Sequence, residues 1–149
     1  MTLLVVVVFL APAFYMKLLA RKVHYRLFVY GVFAPILSTL LLLLWPLPHV
    51  IHLVIIGPML EELVKGLFAS TPDRGVASGA GFASTENTIY AALYPSELWS
   101  HAMRLLFTTP MHCVATRQIG KGIVAGHPIR GYMKAVAIHS VWNLSTLFM

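Results

Sequence analysis

Five ionisable side chains occupy stretches of this chain that are otherwise apolar. The sequence contains only five Asp and Glu residues, and three of them lie in such stretches together with two histidines. The set consists of Glu61, Glu62, Glu86, His112 and His139. Carboxylates and imidazoles transfer protons in catalysis, hold metal ions and relay protons through membranes. Their types therefore indicate a hydrolytic or proton-transferring site.

The elements that carry these residues are predicted to be membrane-spanning helices. Of 149 residues, 58% are hydrophobic and 11% charged, against about 25% charged in an average soluble domain. The mean hydropathy is +0.79. Such a chain has too few polar side chains to cover a water-exposed surface, and its single cysteine excludes a disulfide scaffold. We expect an all-α integral membrane protein, a bundle of about six transmembrane helices forming a single domain over residues 1–149.

Apolar runs divide the chain into six predicted spans. Pro46 and Pro48 are expected to end the second span, because proline lacks an N–H donor and restricts the residue before it. Residues 70–75 form a turn by composition, and residues 120–130 form a basic connection. The predicted spans are residues 1–16, 27–45, 49–69, 76–94, 102–118 and 131–148.

The distribution of Lys and Arg predicts the orientation of the bundle. The net charge is +6, and the basic residues cluster in alternate connections: Lys17, Arg21, Lys22, Arg26, Arg74, Lys121 and Arg130. Cytoplasmic loops of membrane proteins are enriched in Lys and Arg. We therefore expect a multi-pass protein of the cell membrane with both termini extracytoplasmic. There is no basic face, so the charge does not indicate nucleic-acid binding.

Counting residues from the predicted span ends places the ionisable groups in one layer. Glu62, Glu86, His112 and His139 lie six to ten residues from the cytoplasmic ends of their spans, which corresponds to depths of about 9 to 15 Å. Lys65 follows Glu62 by one turn, so it either neutralises a carboxylate or extends to the membrane surface.

Two prolines and two basic residues complete the local predictions. Pro58 and Pro110 precede Glu61 and His112 by one turn or less, so both helices should kink and leave the carbonyl groups of residues 54 and 106 without donors. Arg104 and Lys134 lie near predicted span ends and are expected to extend to the membrane surface.

Four short motifs resemble those of the PrsW family of intramembrane proteases. Glu61-Glu62-Leu-Val-Lys65 resembles the EExxK motif, and Phe82-Ala-Ser-Thr-Glu86 resembles the FxxxE motif. His112 resembles the later histidine motif, and the residues from His139 to Asn143 resemble HxxxN. The motifs occur in the family's order, on successive spans, over residues 59–143. PrsW belongs to the wider Abi or CPBP superfamily, which includes the CaaX prenyl endopeptidases.

The resemblance implies a multi-pass endopeptidase that cuts membrane-anchored protein or peptide substrates in the bilayer. In PrsW the substrate is an anti-sigma factor, but this chain lacks the longer loops or extra span that would select it. CaaX enzymes carry His where this sequence has Glu86, which argues against prenyl-protein processing.

Peptide hydrolysis requires an activated water and stabilisation of the oxyanion. A carboxylate in a poorly solvated site is a stronger base than one in water. We predict that Glu61 or Glu62 is this base, helped by His112, and that Glu86 orients the water or the residue paired with it. His139 and Asn143, which share a helix face, would bind the oxyanion. This interpretation requires no cofactor and no metal.

Three alternatives use the same sequence features. The carboxylates and imidazoles have the ligand types of a hydrolytic zinc site, although there is no HExxH motif. A proton-coupled transporter would also place Glu and His within spans, but six short spans without an inverted repeat disfavour it. A non-catalytic membrane scaffold is the third alternative.

Overall fold

The computed structural model describes residues 2–45 and 47–148. All regular elements within these two ranges are helical, which confirms the predicted fold class at that level. Position 1 of the first predicted span, and Pro46, which was predicted to end the second, lie outside the described residues. The six helical rods are α1 (Thr2–Leu19), α2 (Tyr25–Leu42), α3 (residues 49–66), α4 (Pro72–Leu93), α5 (residues 98–124) and α6 (Pro128–Thr146).

Helix α4 lies at the centre and packs against α1, α2 and α5. Glycines permit this close packing. A Cβ at Gly75 would lie 2.5 Å from the carbonyl oxygen of Thr116 on α5, and one at Gly81 would lie 2.0 Å from that of Phe28 on α2. Helix α6 packs against α5 and α3. The four helices that carry the ionisable set are therefore neighbours.

Helix α4 begins at Pro72, four residues before the predicted start of the fourth span. Thr71 is the N-cap, and its side-chain oxygen accepts a hydrogen bond from the backbone N–H of Arg74 at 3.4 Å. Proline suits the first turn because that turn needs no donor, and Asp73 adds a negative charge where the helix dipole favours one. The predicted turn over residues 70–75 is confirmed at residues 70 and 71, which lie between helices, and is wrong at residues 72–75, which begin α4.

Helix α5 runs to Val124, so the predicted connection over residues 120–130 is largely wrong. Gly120 and Gly122 are helical. A Cβ at Gly120 would lie 2.2 Å from the carbonyl oxygen of Thr71, and one at Gly122 would lie 2.7 Å from the Cα of Gly131. These glycines serve helix contact, whereas the turn after α5 uses Gly126, with φ of +74°.

A π-helical turn lies just before each of the two prolines at which the sequence predicts a kink. The turn His52–Ile56 in α3 ends two residues before Pro58, and the turn Arg104–Thr108 in α5 ends two residues before Pro110. In the first, the N–H of Gly57 donates to the carbonyl of His52, five residues earlier. With this five-residue spacing, the carbonyl that lacks a backbone donor because of Pro58 is that of Leu53 rather than that of residue 54. The carbonyl oxygen of Leu53 accepts a hydrogen bond from the side-chain amide of Asn143 instead, at 2.8 Å.

Three connections meet at one end of the bundle. The backbone N–H groups of Arg21 and Lys22 donate to the carboxylate of Asp73 at 3.1 and 2.9 Å. Arg21, Arg117 and Lys121 line a cavity of about 330 Å³ there with Asp73. We call this the basic end.

One helix in the described ranges, α2, is long and apolar enough by itself to cross a membrane, and residues 3–19 form a shorter apolar helix. Large apolar side chains cover the outer faces of both: Leu10, Phe14, Leu18, Phe33, Ile36 and Leu40 are exposed.

Candidate active site

The structure brings the five ionisable residues together between α3, α4, α5 and α6. Glu61 and Glu62 come from α3, Glu86 from α4, His112 from α5 and His139 from α6. Hydrogen bonds or close polar contacts link each of them to at least one other. A polar cluster thus lies inside an otherwise apolar bundle.

Glu62 is fully buried, and both of its carboxylate oxygens have partners. Oε1 accepts from the Lys65 ammonium and lies 3.0 Å from His139 Nδ1, and Oε2 accepts from the Thr116 hydroxyl at 2.9 Å. Lys65 is also fully buried, so of its two predicted roles the structure selects neutralisation. Glu62 is held in place and is shielded from water.

Glu61 has a different environment from its neighbour. Its Oε2 lies 3.6 Å from His139 Nε2, yet this buried oxygen has no hydrogen-bond partner among the described residues. Glu61 also lines a large cavity. Of the two adjacent glutamates, Glu61 is therefore the one available to water, substrate or an ion.

His112 contacts charged groups through both ring nitrogens. Nδ1 lies 3.0 Å from the Lys65 ammonium nitrogen, and Nε2 lies 2.8 Å from Oε2 of Glu86. Because an ammonium group only donates, Nδ1 accepts and Nε2 carries the proton that is donated to Glu86. The ring meets that of His139 edge-on, with centroids 4.8 Å apart, so the two imidazoles are adjacent.

Asn143 lines the cavity, but its amide nitrogen is engaged. Nδ2 donates to the carbonyl of Leu53 in the π-helical turn of α3. This contact compensates for the donor that Pro58 lacks and joins α6 to α3. Its predicted oxyanion role stays a prediction.

Arg104 does not extend to the membrane surface as the sequence analysis expected. Its Nη2 lies 2.9 Å from Oε2 of Glu86, and its Nε donates to the side-chain oxygen of Asn87 at 3.2 Å. Its guanidinium lies over the ring of Tyr90, 3.7 Å from the centroid. The expectation was wrong because Glu86, Asn87 and Tyr90 on α4 hold the guanidinium, and the sequence contains no signal for these contacts.

Thr116 is a second residue that sequence reasoning missed. It follows His112 by four residues, so it projects from the same side of α5 and reaches Glu62. A threonine in an apolar helix is common, which is why this position gave no distinct signal.

The cavity beside the cluster has a volume of about 790 Å³. Glu61 and Glu86 lie in its wall with Tyr90 and Arg104. It extends to the ends of four helices farthest from the basic end, where it is lined by Leu42, His49, Trp99 and Thr146. Peptide-sized space therefore connects the cluster with the face opposite the basic connections.

The donor set fits a metal ion. Glu61, His112 and His139 each offer one ligand atom, and these atoms lie within 4.8 Å of one another. The unpartnered Oε2 of Glu61 is an orphaned acceptor of the kind a cation satisfies. Glu62 contacts Nδ1 of His139, leaving Nε2 toward Glu61, which is how a carboxylate orients a metal-binding imidazole. At His112 a ligand role would replace one of its two present contacts.

The sequence model of the family described as PrsW family intramembrane metalloprotease matches residues 74–149, just over half of the chain. The chain belongs to this family. The resemblance to PrsW is thereby confirmed, and the protein is a membrane protein and an intramembrane protease. The matched segment contains Glu86, His112 and His139, whereas Glu61 and Glu62 precede it. No curated protein and no solved structure matches the chain.

Proposed function

We propose that this protein is a metal-dependent intramembrane endopeptidase whose ion is held by Glu61, His112 and His139. The observation that carries the proposal is the buried, unpartnered Oε2 of Glu61, which faces an imidazole nitrogen at the edge of the large cavity. The family description, a metalloprotease, agrees with this donor set. When bound, such an ion would activate a water and polarise the scissile carbonyl.

The remaining polar residues have distinct roles in this proposal. Glu62 and Lys65 fix the two imidazoles from behind, on the side away from the cavity. Glu86, whose side chain is 26% exposed and lines the cavity, takes a proton from the attacking water and passes it to the leaving amine nitrogen. Asn143 keeps the π-helical turn of α3 next to Glu61.

A metal-free glutamate mechanism is the second candidate. The 2.8 Å contact between His112 Nε2 and Glu86 supports it, because it forms an imidazole–carboxylate pair without an ion. Glu61 would then be the base that activates water, and His139 would bind the oxyanion. The two candidates use nearly the same residues and differ in whether activity needs a metal.

The orientation of the bundle is part of the proposal. We infer six spans, with the basic end in the cytoplasm and both termini outside, because cytoplasmic loops concentrate Lys and Arg. The connections at the opposite end, residues 43–48 and 94–97, contain no Lys or Arg. In this orientation the cavity opens toward the extracytoplasmic face.

The substrates we propose are membrane-anchored proteins or peptides. A cavity of about 790 Å³ has room for a short unwound stretch of a peptide, and Leu42, Trp99 and Trp142 give its wall an apolar component. The order of the EExxK and HxxxN motifs also supports a relationship with the Abi or CPBP superfamily.

Cleavage of single-span substrates by the purified protein in liposomes tests the function. Wild type is expected to cut at least one substrate of a panel, and mass spectrometry of the products identifies the bond. Glu61→Gln should lower the rate by at least about 10²-fold, since an ion ligand or a general base is lost. Glu97→Gln, at an exposed acidic residue in the connection before α5, should act like wild type. Equal rates for Glu61→Gln and wild type would contradict the proposed site.

A further inference from the structure

Hydrogen-bond donors stabilise the oxyanion formed in peptide hydrolysis, beside any metal ion that polarises the carbonyl. The side-chain amide nitrogen of Asn143 already donates to Leu53. We propose that Arg104 contacts the substrate directly and donates an N–H to the carbonyl oxygen of the scissile peptide. This assignment rests on the proposed endopeptidase function. It adds a substrate-binding residue that the sequence motifs do not contain.

The position of the guanidinium supports this role. Nη2 of Arg104 and Nε2 of His112 contact the same oxygen, Oε2 of Glu86, at 2.9 and 2.8 Å. A single carboxylate oxygen thus bridges the guanidinium of Arg104 and the imidazole of His112. It also lines the cavity in which the peptide would lie.

The hydrogen-bonding state of Nη2 supports it further. This nitrogen is buried and makes no hydrogen bond with any described residue, although it is close to Glu86. The contact with Glu86 is therefore an ion pair without hydrogen-bond geometry, and the N–H groups of Nη2 remain available. A buried N–H group without an acceptor is costly, and a peptide oxygen would satisfy it.

Neighbouring residues hold the guanidinium in one orientation. Asn87 accepts from Nε of Arg104 and in turn donates to the Thr109 hydroxyl at 2.9 Å. That hydroxyl donates to the backbone carbonyl of Arg104 at 3.3 Å, and the ring of Tyr90 lies against the guanidinium. A donor fixed before the reaction stabilises developing charge without reorganising.

The movement of charge during hydrolysis gives a reason for the position of the Arg104 guanidinium beside Glu86. Water attacks the carbonyl carbon, the C=O π pair moves onto oxygen, and Glu86 accepts the proton that the water loses. The negative charge thereby leaves Glu86 and appears on the substrate oxygen, where Arg104 donates to it with a charge-assisted bond. The C=O bond then re-forms, the C–N bond breaks, and the amine nitrogen takes the proton back from Glu86.

The test compares kcat and KM of Arg104 variants in the liposome assay. Arg104→Gln is expected to lower kcat by at least about 10²-fold, the effect of losing one oxyanion donor, with KM changed by less than about tenfold. Arg104→Lys keeps the charge beside Glu86 but lacks the planar fork of donors, and its kcat should lie between those of Arg104→Gln and wild type. Arg130→Gln, an exposed arginine at the basic end, is the matched control.

Chemical rescue separates contact with substrate from a structural role. Added guanidinium ion should restore part of kcat to Arg104→Ala and none to Glu61→Gln. If wild type cleaves substrate and Arg104→Gln keeps a kcat within threefold of it, the assignment of Arg104 fails while the proposed function stands. A loss of activity that occurs in both Arg104→Lys and Arg104→Ala, with lowered thermal stability and no rescue by guanidinium, would also overturn it. A wild type that cleaves no substrate would overturn the proposed function and this assignment with it.

Discussion

Adjacent glutamates on α3 have opposite surroundings. Successive residues on a helix project about 100° apart, so Glu61 faces the cavity while Glu62 faces the packed interior. Glu62 is satisfied by Lys65, Thr116 and His139, whereas Oε2 of Glu61 lacks a hydrogen-bond partner in the described part of the chain. The doublet therefore combines one carboxylate that is open to the cavity with one that holds the His139 imidazole in place.

Loss of the buried cation should destabilise the protein. Lys65→Met removes the partner of Glu62 and the donor to His112, and an uncompensated buried charge costs about 3 to 5 kcal/mol. We expect a lower free energy of unfolding, measured by denaturation in detergent micelles.

Lys134→Met, at an exposed position on α6, is the control for this change and should leave stability nearly unaltered. In the double variant Lys65→Met with Glu62→Gln, much of the loss should be regained because the carboxylate is no longer unpaired. Equal stability of Lys65→Met and Lys134→Met would show that the ion pair between Lys65 and Glu62 contributes nothing to the free energy of unfolding.

The candidate residues could be predicted where their chemistry contrasts with their surroundings. A glutamate or histidine in an apolar span is costly, and this singled out Glu61, Glu86 and His112. Arg104 was misjudged because an arginine near a span end has an ordinary explanation. Its partner, Glu86, lies on another helix, and the sequence alone does not predict which faces of α4 and α5 are turned toward each other.

At the scale of elements, two helices widen next to the site. The π-helical turns of α3 and α5 directly precede the segments that carry Glu61 and His112. Proline removes a donor, and the turn shifts the hydrogen-bond spacing by one residue. The sequence predicted an irregularity at both prolines, but it did not distinguish a kink from a π turn, since that depends on side chains such as Asn143 on α6.

Close packing of α4 on α5 should be sensitive to a single methyl group. A Cβ at Gly79 would lie 2.5 Å from the backbone oxygen of His112, so Gly79→Ala must separate the helices or shift His112. Overpacking of this kind costs about 1 to 3 kcal/mol, and we expect both thermal stability and cleavage rate to fall.

Gly66→Ala on α3 gives the matched comparison. There a Cβ would meet only side-chain atoms of Ile119, the nearest at 3.1 Å, which can move. Gly66→Ala should therefore stay close to wild type. A Gly79→Ala protein as stable and active as Gly66→Ala would refute the packing argument.

At the scale of the whole molecule, the bundle is asymmetric. Basic residues gather at one end, and the large cavity extends toward the other. Helix boundaries were predicted less well than helix number. Residues 70–75 and 120–130 are rich in Gly and Pro, which composition assigns to loops. Here Pro72 and Pro128 begin helices and Gly75, Gly120 and Gly122 let helices touch, whereas Gly126 does lie in a turn.

Labelling of single cysteines tests the proposed orientation. In a Cys113→Ala background, Ser96→Cys and Ala125→Cys each place a probe in or beside an exposed connection, at opposite ends of the bundle. A membrane-impermeant thiol reagent added to intact cells should modify Ser96→Cys and leave Ala125→Cys unmodified until the membrane is opened. The reverse pattern would show that the bundle has the opposite orientation in the membrane. Labelling of both cysteines from outside would contradict an alternating arrangement of spans.

The metal dependence of cleavage tests the central claim most directly. Purified wild type should contain close to one equivalent of a transition metal by elemental analysis. It should lose cleavage activity on dialysis against a strong chelator and regain it when the metal is returned. Glu61→Gln and His139→Ala should bind far less metal, whereas Glu97→Gln should keep it. Full activity after the metal has been removed, with metal content well below one equivalent, would contradict the account and assign the hydrolysis to the glutamate and histidine side chains alone.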